Sequence, residues 1–279
     1  MSEEGRTAFA PGHVTGFFTV DRADDPMEAG SRGGGIALDD GVEVRVSPAA
    51  ERSVYLDDVS VDIAAVEAVL DALQATVEVR AQTPLPLGAG FGVSGAIALA
   101  TALATNATLG RGLSADELTA LAHGAEVQAG TGLGDVVAQA RGGVPLRLEP
   151  GAPRYNQLDA IPSSARTVEY LSLGERSTPD VLEAKADVIS TAGRRALSTV
   201  VEEPTLPTFM RASRKFARET ELLTTEIREV ILDVTESGGT ATMAMLGETV
   251  IAMDQGLSDA GYAEATTTSI RPCGAVLED

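Results

Sequence analysis

The chemistry in this chain is concentrated in a glycine-rich run with one serine, Pro84-Leu85-Pro86-Leu87-Gly88-Ala89-Gly90-Phe91-Gly92-Val93-Ser94-Gly95-Ala96. It follows the alternating segment Val77-Glu78-Val79-Arg80 and opens into the Ala/Leu/Thr-rich stretch Ile97 to Leu109, so it reads as strand, glycine turn and helix start. Anions bind at such junctions. Glycine lets a ligand approach the main chain, and the first N–H groups of the helix have no partner inside it. The Ser94 hydroxyl adds an oxygen that can reach a phosphate or its Mg²⁺. The lysine of a GxxxxGK[ST] loop is missing, which disfavours that class of nucleotide hydrolase. Gly90, Gly92 and Gly95 spell GxGxxG, but Thr83 to Pro86 separate them from the strand, and the acids about 20 residues on, Asp116 and Glu117, fall in a helix start. The dinucleotide reading is therefore weak, and a packing connector is the competing one.

Other reactive side chains lie on either side of this loop. Thr7 to Val20 reads as two short strands around the Pro11-Gly12 break, with His13 directly after it; Gly30-Ser31-Arg32-Gly33-Gly34-Gly35 reads as a loop. Val42 to Val46 alternates as a half-buried strand, and Val61 to Leu73 has helical spacing. Ser114, with Glu117 three residues on, starts a helix with a capping box, and His123 and Glu126 share one face of that helix. A glycine turn, Ala129 to Gly134, then presents Asp135, and Gly143 to Leu148 is a strand carrying Arg147. Pro150 to Pro162 marks a linker or domain boundary. Beyond it a strand at Thr167 to Leu173 precedes a helix capped by Thr178 with Pro179 at its first position. Helices at 187–201, 208–223 and 226–235, the glycine-containing stretch Glu236 to Gly247 and a strand at Thr249 to Met253 follow. The class expected is α+β.

At 279 residues the chain can bury a sizeable core, and its formal charge of −20 disfavours nucleic acid and anionic membrane surfaces as partners. Lys185 and Lys215 are the only lysines, so nearly all positive charge is arginine. That balance predicts adaptation to a cytoplasm of high salt, where screening removes self-repulsion. Cys273 is the single cysteine, which excludes an intrachain disulfide and a cysteine metal cluster. Residues 1–20 lack the apolar block of a signal peptide, and Ser94 to Leu109 is too short and polar to span a bilayer. A soluble cytoplasmic protein is expected.

The pattern Pro-x-Gly-x-Gly-x-Gly-x-Ser-Gly-Ala over Pro86 to Ala96 resembles the central ATP-binding motif of the GHMP kinases, the family of galactokinase, homoserine kinase and mevalonate kinase. Its wording is most similar to the archaeal pantoate kinases. Ala10-Pro11-Gly12 resembles the family's first motif, with His13 where most members carry Lys, and Gly30-Ser31-Arg32-Gly33 is similar to a pantoate-kinase loop. Glu126 to Gly143 resembles the segment holding the magnesium-binding glutamate and the catalytic aspartate, which fall on Glu126 and Asp135. Glu236 to Gly247 stands at the third motif but departs from its Gly-Ser-Gly-Pro form.

The resemblance implies the two-domain fold of that family, a ribosomal-S5-domain-2-like ATP-binding domain over residues 1–155 and a C-terminal α/β sandwich over 156–279. It implies ATP on Pro86, Gly88, Ala89, Gly90, Gly92, Ser94 and Gly95, and Mg²⁺ on Ser94 and Glu126. Asp135 would take the proton of the attacking hydroxyl, with Ser94 and Glu126 completing the catalytic set; His13, Ser31, His123, Arg147 and Thr178 would hold the substrate. Chemistry supports the assignment: Mg²⁺ takes hard oxygens, a carboxylate can accept a hydroxyl proton, and Arg pairs with a carboxylate through two donors. The expected reaction is ATP-dependent phosphorylation of pantoate to 4-phosphopantoate, and a homodimer is compatible with it. Kinases of homoserine or mevalonate type, and a regulator that kept the fold and lost turnover, are the alternatives.

Overall fold

The computed structural model describes residues 5–174 and 178–278, with the side chains of 178–184 outside the described set. The first half runs β1 (Arg6–Phe18), β2 (Gly33–Pro48), β3 (Ser53–Leu56), β4 (Val59–Ser60), α1 (Ala64–Ala72), β5 (Val77–Gln82), α2 (Val93–Leu109), α3 (Ala115–Ala129), α4 (Asp135–Arg141), β6 (Val144–Glu149) and β7 (Gln157–Ile161). The second runs β8 (Thr167–Gly174), α5 (Thr178–Glu202), α6 (Leu206–Glu219), α7 (Thr225–Glu236), β9 (Ala241–Ala244), β10 (Glu248–Met253), α8 (Gly256–Asp259), β11 (Thr266–Ser269) and β12 (Val276–Glu278).

An eight-stranded sheet has the order β12-β1-β2-β5-β3-β4, with β6 branching from β2 and pairing β7. Alternation decides its faces: Val42, Val44 and Val46 of β2 are buried while Glu43 and Arg45 are exposed. The central helix α2 packs across β1 and β2, flanked by α1 and α3. Its Ala-rich surface permits that close approach, and eleven of its residues are buried. The second sheet, β11-β8-β10-β9, is antiparallel throughout and is covered by α6 and α7. The two sheets meet where β9 reaches β1 and β11 reaches β2. On β1, Phe17 packs against Phe209 and Phe18 against Phe216, both from α6. No described helix is long and apolar enough to cross a membrane.

Three segments differ from the sequence expectation. The Pro11-Gly12 break leaves one strand, because β2 takes up the irregularity: Pro11 pairs Gly41 and Gly12 pairs Leu38, so Asp39 and Asp40 bulge out of the ladder. Proline, lacking an N–H, is tolerated at such a break. Gly33 to Gly35, expected in a loop, opens β2 opposite Phe18, Phe17 and Thr15. Within the expected linker, Gly151, Pro153 and Pro162 lie outside Gln157–Ile161, leaving that stretch free to pair with β6.

Candidate active site

The glycine run delivers the start of α2 to a cavity of about 230 Å³ between the two sheets. Gly92 caps α2 with φ 62°, a left-handed conformation that L side chains rarely adopt, and the N–H groups of the first turn have no partner inside the helix. The loop is pinned from two sides. The Phe91 carbonyl accepts the His13 backbone N–H at 2.8 Å, and its ring meets Tyr170 of β8 edge-on at 4.8 Å. The Gln139 amide of α4 donates to the Gly92 carbonyl at 2.8 Å.

Ser94 projects from the first turn of α2 and donates its hydroxyl to Glu126 Oε1 at 2.5 Å. Glu126 stands on α3, which the Ser114–Glu117 capping box starts and Gly130 ends, and it faces inward with His123 three residues before it. Thr131, in the turn after α3, donates to the same Oε1 at 2.9 Å. Burial raises the Glu126 pKa against these two hydrogen bonds, and the charge of Asp135 adds to the rise. The donor set is two or three hard oxygens. Among the described residues no group of three or more His, Cys, Asp or Glu side chains could hold a metal ion. Such a set fits a Mg²⁺ whose remaining positions are filled by phosphate oxygens and water, not a cage built by protein alone.

Asp135 opens α4, with its side chain 25% exposed at the cavity and its Oδ1 2.7 Å from Nδ1 of His13. Thr15 donates to the same oxygen at 3.3 Å. Burial works to raise the Asp135 pKa, but the hydrogen bonds from His13 and Thr15, with the Arg147 charge, outweigh it and hold the carboxyl below its ordinary value. Arg147 is buried on β6, its Nε donating to the Ser31 carbonyl at 3.2 Å while its Nη1 has no hydrogen-bond partner among the described residues. Burial lowers the Arg147 pKa and Asp135 opposes the change, but a guanidinium stays charged. A buried guanidinium with a donor left open beside a cavity can take an anion there, in addition to the charge of Asp135.

Of the residues expected at the site, Ser31, Gly88, Gly90, Gly92, Ser94, Glu126, Asp135 and Arg147 line this one cavity. Pro86, Ala89 and Gly95 do not line it; Ala89 is buried behind the loop, where its carbonyl accepts the Thr249 hydroxyl at 2.8 Å. His123 is buried and bonds the Ala29 carbonyl through Nε2 at 2.9 Å, two residues before Ser31, so it fixes the Ser31 loop. His13 lies behind Asp135, off the cavity lining. Thr178 begins α5, and its side chain lies outside the described residues. Thr15, Thr131 and Gln139 carried no assignment from sequence. Thr15 follows His13 by two in a strand, a spacing that places both side chains on one face.

Comparison with known proteins bears on the family and the fold. The family model for the GHMP kinases N terminal domain matches residues 61–143. A pantoate kinase of Methanocaldococcus jannaschii is 32% identical over 88% of this chain and 92% of its own length. A pantoate kinase of Methanospirillum hungatei is 34% identical over 88% of this chain and 86% of its own. A solved phosphotransferase related to the coenzyme A biosynthesis pathway superposes with a TM-score of 0.88 at 29% identity, covering 98% of both chains.

Proposed function

The chain belongs to the GHMP kinase family, and from that premise we propose that it transfers the γ-phosphoryl group of ATP to the primary hydroxyl of pantoate, giving 4-phosphopantoate for coenzyme A synthesis. The observation that carries the substrate reading is Arg147: a buried guanidinium whose Nη1 has no hydrogen-bond partner among the described residues shares one cavity with Asp135 and Ser94. Pantoate presents a carboxylate to that guanidinium and a hydroxyl to Asp135.

In this reading the α2 N-terminus and the Gly88–Ser94 loop receive the ATP phosphates. The hydroxyl oxygen bonds to the γ-phosphorus as its proton passes to Asp135; the bond from phosphorus to the bridging oxygen breaks, its electron pair leaving with ADP, and Asp135 later releases the proton to solvent. The lowered pKa of Asp135 keeps it ionised, so that it can accept a hydrogen bond from the hydroxyl before transfer. Ser94 and Glu126 would hold Mg²⁺, which supplies charge neutralisation on the phosphates when bound.

The acidic surface is read as adaptation to a cytoplasm of high potassium salt. One experiment addresses substrate and medium together: ATP consumption by the purified protein with Mg²⁺ across a potassium chloride series, offering pantoate, homoserine and mevalonate separately, with melting temperature followed in parallel. Turnover with pantoate alone and stability rising with salt are expected. Turnover with another alcohol instead keeps the site and overturns the substrate, and none with any favours a non-catalytic ligand-binding role.

A further inference from the structure

His13 is wholly buried on β1. Its Nδ1 is 2.7 Å from Oδ1 of Asp135, while its Nε2 has no hydrogen-bond partner among the described residues. That second nitrogen is pressed against β2 at Gly35, where a β-carbon would stand only 2.1 Å from it. The ring's hydrogen bonding is therefore confined to Nδ1, which lies 2.7 Å from the Asp135 carboxylate and 3.5 Å from the Thr15 hydroxyl, and the ring is not placed to touch substrate.

These positions fix the proton. A neutral imidazole carries one N–H and one bare nitrogen, and a carboxylate oxygen accepts only, so the hydrogen belongs on Nδ1. The bare nitrogen then faces glycine backbone. An imidazolium would bury a second N–H with no acceptor beside Arg147. The groups that bear on the ring are Asp135 from α4 and Arg147 from β6; burial lowers the His13 pKa most, Asp135 opposes it, and Arg147 adds to the lowering. Asp135 in turn acts on Glu126 of α3.

We propose that His13 is a positioning residue that stays neutral, with its proton on Nδ1, and that its N–H ties down Asp135 Oδ1 so that Oδ2 is left for the substrate hydroxyl. It does this as a neutral donor with one direction, not as a cation. Thr15 completes the clamp from the same strand face. The assignment rests on Asp135 as proton acceptor in the reaction above.

The chain has only two histidines, which makes a direct test simple. In protein labelled with ¹⁵N-histidine, two-bond proton–nitrogen spectra identify each tautomer. The expected result is opposite tautomers: Nδ1–H for His13 and Nε2–H for His123, whose Nε2 faces the Ala29 carbonyl. His13→Leu assigns the signals by deletion. An Nε2–H tautomer for His13, or an imidazolium at pH 7, overturns the proposal whatever the enzyme's substrate. The kinetic arm separates positioning from mere packing. In His13→Asn the amide nitrogen can take the place of Nδ1 and donate, so kcat should stay within about tenfold, whereas His13→Leu should lose on the order of 10²-fold in kcat with KM for ATP unchanged. Equal losses in both variants would mean the imidazole only fills space. If the wild-type protein turns over none of the three alcohols, the kinase reading fails while the tautomer result stands on its own.

Discussion

Gly247, in the turn between β9 and β10, sits against the Gly88–Ser94 loop so closely that a β-carbon there would be 2.0 Å from the carbonyl oxygen of Ala89. Thr249 reaches the same carbonyl with its hydroxyl at 2.8 Å, and the N–H of Met245 bonds the carbonyl of Thr15 at 3.0 Å. The second sheet thus braces both halves of the candidate site, the Gly88–Ser94 loop and the strand behind Asp135. The glycine-containing segment at 236–247, irregular as a motif, acts here through contact with the loop backbone.

A single methyl group at Gly247 tests that brace. Its nearest neighbours would be the Ala89 carbonyl and Gly90 nitrogen, backbone atoms that cannot swing aside as a side chain can. Gly247→Ala should cost about 1–3 kcal/mol of overpacking. If the loop yields, ATP affinity drops by about ten- to a hundredfold. Calorimetric titration with a non-hydrolysable ATP analogue reads this, and unchanged affinity would show that the turn does not set the loop.

Glu126 is expected to trade stability for activity. Its carboxylate is buried without a cation among the described residues and is held by the hydroxyls of Ser94 and Thr131. Glu126→Gln keeps an acceptor for both hydroxyls and removes the buried charge, so the ligand-free protein should melt higher, by about 2–4 °C for each kcal/mol gained. Turnover should fall by about 10²-fold or more, and Mg²⁺ should no longer add to the thermal shift given by ATP. Scanning calorimetry with and without Mg²⁺ checks both parts. A lower melting point would mean that the charge is compensated.

Most of what could be read from sequence was local. The strand–glycine–helix junction at Val77 to Leu109 and the Ser114 capping box follow from short-range rules, and both stand in the structure as expected. Ser94, Glu126 and Asp135 are separated by 32 and 9 positions, and only the packing of α2, α3 and α4 brings them to one cavity. Resemblance to a family supplied that placement, because no periodicity encodes it. The His13–Asp135 contact spans 122 positions, and a lone histidine after a proline–glycine pair does not announce its partner. Strand extents were lost for a related reason: Gly33 to Gly35 look like loop by composition, yet they pair along β1 where β2 needs backbone without side chains.

The two histidines also set the acid sensitivity of the fold. Burial lowers the pKa of both His13 and His123 below the ordinary 6.5. In the unfolded chain each takes up a proton as pH falls through about 6.5, while the folded protein resists doing so. The unfolded state then binds more protons, so stability is lost as pH falls below that value, by at most about 1.4 kcal/mol per pH unit for each histidine. Glu126, with its raised pKa, works the other way: the folded state takes its proton more readily than the unfolded, which adds stability at lower pH. Denaturant unfolding between pH 7.5 and 5.5 should therefore show a decline in the wild type, carried by the two histidines. His123→Gln, which retains a donor for the Ala29 carbonyl, should flatten the slope by one histidine's share. A slope unchanged by that substitution would mean that His123 titrates alike in the folded and unfolded chain.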